Sequence, residues 1–177
     1  MNALVYGVGH SGTTILTKML VELGWNIAAC DFNFEPIDIR AINMALYGDI
    51  SVLPNLMEDN LNKLVRPYVI KDPRFIFTIP TWLDAFKTQP DPPLLIWIKR
   101  QYQDVYNSYL KRQETDNGDN GLIPTKGGAK SVEQLYAQAK IGYDLWPWHK
   151  ITIEYAKLQN AVLLFNPNQL TNSFGTL

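Results

Sequence analysis

The apolar run Ala3–Val8 leads into Gly7-Val8-Gly9-His10-Ser11-Gly12-Thr13-Thr14 and then into a helix that begins near Thr13. The order strand, glycine loop, helix limits what the chain can fold into more than any other feature. Backbone N–H groups converge there with the positive end of a helix dipole, and glycine lets an anion come close to the backbone. A phosphate-like group is the natural ligand. The spacing nearly fits the nucleotide-triphosphate P-loop through Gly7, Gly12 and Thr14, but Thr13 stands where that motif needs lysine. This argues against an ordinary ATPase or kinase. Gly7, Gly9 and Gly12 also approach a dinucleotide fingerprint, with Asp31 nineteen residues beyond Gly12, which leaves nicotinamide binding as an alternative. A glycine-requiring turn that happens to precede a helix is the structural alternative.

The rest of the chain repeats the strand–helix alternation. Apolar runs at Ala3–Val8, Asn26–Ala29, Tyr68–Lys71, Leu94–Lys99 and Ala161–Phe165 are separated by segments of helical periodicity, the signature of a parallel α/β sheet. Leu94–Lys99 is apolar at consecutive positions, as a central strand covered on both faces should be. Ile15, Leu16, Met19, Leu20 and Leu23 share one helical face, and Gly24 marks its stop. Tyr102, Val105, Tyr106, Tyr109 and Leu110 predict a helix ending near Gln113, and Ser131 with Gln134 predicts a capping box that opens a helix reaching Trp146, where Pro147 breaks it. Four glycines, a proline and several Asp and Asn make residues 115–129 a long loop, either a functional lid or a mobile surface segment. The 177 residues are expected to form a single three-layer α/β domain with a P-loop-like strand–loop–helix.

Composition narrows the function classes. Sixteen Lys and Arg against seventeen Asp and Glu give a net charge of −1, so no broad positive field is available to hold a nucleic-acid backbone. The single cysteine, Cys30, cannot close an internal disulfide, and no apolar run is long enough for a membrane span or a signal-peptide core. A soluble, cytoplasmic protein that binds neither nucleic acid nor membrane is the expectation. One cysteine and two distant histidines offer no metal-ligand spacing.

Three further features carry a resemblance: Lys71-Asp72-Pro73-Arg74 after the third apolar run, Arg100 at the end of the fourth, and Ser108 eight residues later on the next helix. Together with the loop they resemble the sulfotransferases that use 3′-phosphoadenosine 5′-phosphosulfate, over roughly residues 3–113. The resemblance implies a P-loop-like fold and sulfonate transfer, without a metal, to a hydroxyl or amine of a small-molecule, carbohydrate or protein acceptor. It also implies that Gly9, His10, Ser11, Gly12, Thr13 and Thr14 hold the 5′-phosphosulfate, and that Arg100 and Ser108 hold the 3′-phosphate. Two departures stand out. His10 replaces the usual lysine or arginine of the loop, and Phe165-Asn166-Pro167-Asn168-Gln169-Leu170 lacks the acids of the family's C-terminal segment. Lys71 either supplies the missing cation or joins Asp72 and Arg74 in an ion-pair network.

The transfer needs a base for the acceptor proton. Asp31 and Glu35, both beyond the second apolar run, are the candidates, with His149 next. A P-loop nucleotide or small-molecule kinase is the alternative enzyme, and a nucleotide-binding module without turnover is the alternative outside enzymes.

Overall fold

The computed structural model describes residues 1–115, 131–162 and Phe165, with the side chains of 112–115 and 162 excepted. The predicted loop at 115–129 and the segment from Asn166 onward lie outside the described residues, apart from Thr115. Four parallel strands form one sheet: β1 (Ala3–Tyr6), β2 (Val69–Lys71), β3 (Leu94–Lys99) and β4 (Lys150–Glu154), in the order β2-β1-β3-β4. Helices α1 (Thr13–Glu22), α2 (Ile37–Tyr47), α3 (Pro54–Asn62), α4 (Phe75–Lys87), α5 (Tyr102–Thr115), α6 (Val132–Leu145) and α7 (Leu158–Val162), with a 3-10 turn at Tyr155–Lys157, complete the elements among the described residues.

Strand periodicity divides the core in two. Leu4, Tyr6, Ile70, Leu95 and Trp97 point to one face, where they meet Ile39, Met57, Ile79, Trp82 and Ala139 of α2, α3, α4 and α6. Ala3, Val5, Val69, Ile96 and Ile98 point to the other, where Leu16 and Leu20 of α1 and Leu158 of α7 cover them. Both faces of β1 and β3 are therefore dry, and the result is a three-layer α/β fold with Leu94–Lys99 as an internal strand. Tyr6 ties the layers together: its hydroxyl donates to the Ala139 carbonyl at 2.8 Å, and Gly142 leaves the room that hydroxyl needs.

Three predicted helices form within two residues of their expected bounds, and the capping box at Ser131 and Gln134 is present in both directions. Of the predicted strands, Asn26–Ala29 does not form, and Ala161–Phe165 is no strand at its described residues 161, 162 and 165, the other two lying outside the described residues. Asn26–Ala29 contributes only one isolated bridge, from Asn26 to Tyr68. Ala161 lies in helix α7 and Phe165 is buried behind α1, its carbonyl accepting from Trp25 Nε1 at 2.8 Å. The place beside β3 is already taken by Lys150–Glu154, so the later segment covers a face instead. That strand is at the sheet edge, with Lys150 and Glu154 at its ends and Thr152 exposed, so it carries no continuous apolar run.

The strand order also locates the site. The connection from β1 leads to β2 on one side, while that from β3 leads to β4 on the other. The crevice beyond the carboxyl ends of β1 and β3 is thus the topological switch point, where open α/β sheets bind ligands. No helix among the described residues is long and apolar enough to cross a membrane.

Candidate functional site

The glycine loop fills that crevice, and its backbone explains its residues. Gly12 caps α1 at φ 105°, in the left-handed region, and a Cβ there would lie 2.5 Å from the Tyr155 ring. Both conditions require glycine. At Gly7 a Cβ would come within 2.8 Å of Ser11 Oγ and 3.0 Å of the Ile98 carbonyl oxygen, so glycine there lets the loop fold back on β3. His10 also has positive φ, at 64°. Ser11 is fully buried and its hydroxyl has no partner among the described residues, so the loop encloses an unsatisfied polar group at the foot of α1.

On the β3 flank of the loop stand His10, Arg100 and Ser108. Arg100 donates from its guanidinium to the His10 carbonyl at 3.2 Å and lies 4.6 Å from the centre of the Tyr155 ring. Ser108 Oγ is 3.3 Å from His10 Nδ1, and the Tyr109 ring meets the imidazole edge-on. The structure therefore brings Arg100 and Ser108 to the same residue, and through His10 to the loop. Tyr136 fixes this flank: its hydroxyl accepts from the Arg100 N–H at 2.9 Å and donates to the Arg100 carbonyl at 2.8 Å. Burial pushes the Tyr136 hydroxyl pKa up, which keeps it a donor.

The β2 flank has a different character. Lys71 ends β2 with its ammonium on Thr14 Oγ1 at 3.1 Å, the Asn33 carbonyl at 3.2 Å and Glu35 Oε1 at 3.0 Å. The Lys71 and Glu35 side chains are only 3% and 8% exposed. Glu35 Oε2 faces the guanidinium of Arg74 at 3.3 Å and that of Arg40 at 3.7 Å. Arg74 in turn binds Asp72 Oδ1 at 3.0 Å. Asp72 is buried, and that burial raises its carboxyl pKa; Arg74 opposes the rise and Glu35 adds to it. The Lys-Asp-Pro-Arg segment is thus both an ion-pair network and the source of a cation at the loop.

Asp31 and Glu35 separate clearly. Asp31 Oδ1 accepts the backbone N–H groups of Asn33 and Glu35, both at 2.9 Å, and Oδ2 accepts from Arg40 at 2.9 Å. Its carboxylate builds the turn that carries Glu35. His149 precedes β4, and its carbonyl accepts from Leu95 N, so it lies at the amino edge of the sheet, opposite the loop. It is removed from the list of bases. Sequence reasoning missed Arg40, Tyr136 and Tyr155. Only the helical spacing of Tyr136 with Tyr143 gave any signal, and that reads equally as core packing.

No protein-family model matches the chain, and no curated protein matches it. Solved structures do share its architecture. Deoxyadenosine kinase from M. mycoides with bound dATP is 11% identical, with a TM-score of 0.57 over 97% of this chain and 100% of that one. The same kinase with products dCMP and dCDP is 13% identical, with a TM-score of 0.53 over 97% and 99%. A sugar kinase from Janibacter sp. is 12% identical, with a TM-score of 0.50 over 96% and 92%. At such identities the likeness shows the fold, a P-loop-like α/β fold. It also corrects the expected sulfonate transfer from 3′-phosphoadenosine 5′-phosphosulfate: these structures, which share the fold along nearly the whole chain, are of kinases and not of sulfotransferases, so the sequence resemblance to sulfotransferases does not carry the assignment.

Proposed function

We propose that the chain is a P-loop-type kinase that moves a phosphoryl group from a nucleoside triphosphate to the hydroxyl of a nucleoside or other small molecule. The observation that carries this reading is Lys71. Thr13 leaves the loop without its usual lysine, yet Lys71 reaches Thr14 Oγ1 at 3.1 Å from the neighbouring strand and supplies the missing positive charge. The kinase structures that share the fold support the same class.

The site offers each part that phosphoryl transfer requires. The loop N–H groups and the start of α1 receive the phosphates, and Lys71 and Arg100 flank them with charge. Glu35, held on the β2 flank, takes the acceptor's proton. The acceptor oxygen forms a bond to the terminal phosphorus, the bond from that phosphorus to the bridging oxygen breaks, and its electron pair leaves with the nucleoside diphosphate. Magnesium would accompany the triphosphate and neutralise its charge. Among the described residues Thr14 Oγ1 accepts from Lys71 and donates to the Asn33 carbonyl, which leaves a lone pair that could serve as a protein ligand for such an ion beside phosphate oxygens and waters.

Incubation with γ-labelled ATP, magnesium and a panel of nucleosides and sugars tests the reading. The expected result is a labelled phosphomonoester, together with thermal stabilisation by ATP–Mg, which at a hundredfold excess over Kd amounts to about 2.7 kcal/mol. No label transfer to any acceptor, with stabilisation by adenosine 3′,5′-bisphosphate but not by ATP, would overturn it.

A further inference from the structure

Lys71 has three N–H donors, and the structure uses all three: one on Thr14 Oγ1, one on the Asn33 carbonyl and one on Glu35 Oε1. A phosphate that enters the loop beside Thr14 can bind Lys71 only by taking a donor from one of them. Glu35 is the one charged competitor, and it alone has other cations at hand, Arg74 at 3.3 Å and Arg40 at 3.7 Å. The Asn33 carbonyl belongs to the turn that Asp31 fixes, so it has no such freedom.

We infer that Lys71 is a shared cation for which the donor phosphate and Glu35 compete, so that phosphate binding pulls Lys71 away from Glu35 and leaves that carboxylate to the arginines. The inference deepens the kinase reading and rests on it for its purpose: the carboxylate that takes the acceptor's proton is held by Lys71 until the donor is in place. Idle deprotonation is avoided, and the donor binds first. No covalent step is added, since only hydrogen bonds change partners. Near-complete burial of the pair makes the exchange consequential, because a charge there cannot fall back on water.

The test measures binding of inorganic tripolyphosphate by calorimetry, a probe that any phosphate loop should hold whether or not transfer occurs. Glu35→Gln should raise the affinity about tenfold, because the ligand no longer displaces a carboxylate from Lys71. A through-space effect of the lost charge would also raise it, so two further variants separate the causes. Glu35→Asp keeps the charge but withdraws it by one methylene, and should raise the affinity about threefold. Glu35→Gln placed in a Lys71→Gln background should give no gain, since the coupling runs through Lys71. Unchanged or weaker binding by Glu35→Gln and Glu35→Asp, or an equal gain in the Lys71→Gln background, would overturn the competition. Tripolyphosphate binding with the expected cycle but no phosphoryl transfer would instead overturn the kinase reading and keep Lys71 as the shared cation. Absence of tripolyphosphate binding by the wild type would overturn both.

Discussion

The two flanks of the glycine loop solve the same problem by different physics. On the β3 flank, Arg100, His10 and Ser108 are half-buried and meet through neutral acceptors, a carbonyl, an aromatic ring and a hydroxyl. On the β2 flank, Glu35, Lys71, Asp72 and Arg74 place four charges in a nearly dry space, and each charge touches an opposite one. A flank built from neutral contacts can lose one member and relax toward water. A flank of buried ion pairs cannot, because removing one ion leaves its partner desolvated.

The sharpest way to break the contrast is therefore to delete one cation from each side. Lys71→Met should destabilise the protein by about 3 kcal/mol, the lower end for breaking a buried pair, because Arg74 still faces Glu35. Arg100→Met should cost only about 1 kcal/mol, the net worth of one hydrogen bond with a contribution from the ring contact. Urea unfolding of both variants decides the matter. Equal losses would mean that the β3 flank is as desolvated as the β2 flank.

Titration sharpens the contrast further. Burial raises the Asp72 carboxyl pKa, so the folded chain holds that proton more tightly than the unfolded one does. Between the ordinary carboxylate value, about 4, and the raised folded value, the native state binds more protons, and stability falls as pH rises. Below that window both states are protonated and the contribution is flat. Asp72→Asn removes this titration but also an acceptor of Arg74. The stability of wild type minus that of Asp72→Asn should then decline with pH from about 4 upward. A difference that rises with pH would mean that Arg74 outweighs desolvation.

What the sequence made legible follows the same division. The loop and β1, α1 and β3 are local structures whose signals lie within a dozen residues: Gly12 at a helix N-cap with positive φ, an unbroken apolar run at Leu94–Lys99, and Gly24 after α1. Arg100 and Ser108 are also local to one strand–helix junction, so their nearness could be anticipated, though not their contacts with His10. Glu35 and Lys71 are 36 positions apart and meet only because β2 and the turn after Asp31 both end at the loop. The sequence offered both residues, but not their contact, and so could not choose between Asp31 and Glu35. Edge strand β4 escaped notice because a strand with one exposed face and charged ends lacks the apolar run of a buried one. Helices α2 and α3 share that difficulty, since they expose Ile37, Met44 and Leu56 and so blur the apolar stripe.

The backbone anchor of the β3 flank gives the next smaller effect. Tyr136 both accepts from and donates to the backbone of Arg100, so Tyr136→Phe leaves an N–H and a carbonyl without their partner. A loss of about 1.5 kcal/mol is expected in urea unfolding, with Arg100 less well fixed and ATP–Mg affinity reduced about threefold. Undiminished stability would show that water replaces the hydroxyl, and the flank would be wetter than its hydrogen bonds imply.

The smallest effect should come from Ser108. Its hydroxyl is 3.3 Å from His10 Nδ1, at the long end for a hydrogen bond, and both residues are partly open to solvent. Water can replace a half-exposed hydroxyl at little cost, so Ser108→Ala should lower stability by only about 0.5 kcal/mol, or about 1–2 °C in Tm for a chain of this size. Tripolyphosphate affinity should change less than threefold, since the loop N–H groups and Lys71 remain in place. Lys71→Met, by comparison, should lose tripolyphosphate binding by more than an order of magnitude, because the ligand then lacks its cation on the β2 flank. Calorimetry on the two variants side by side reads the ratio directly. If Ser108→Ala instead costs tenfold or more in affinity with its Tm unchanged, the hydroxyl itself meets the phosphate. The division of labour would then be wrong in kind: the β3 flank would bind the ligand through side-chain hydroxyls, and the buried ion pairs of the β2 flank would serve mainly to hold the fold.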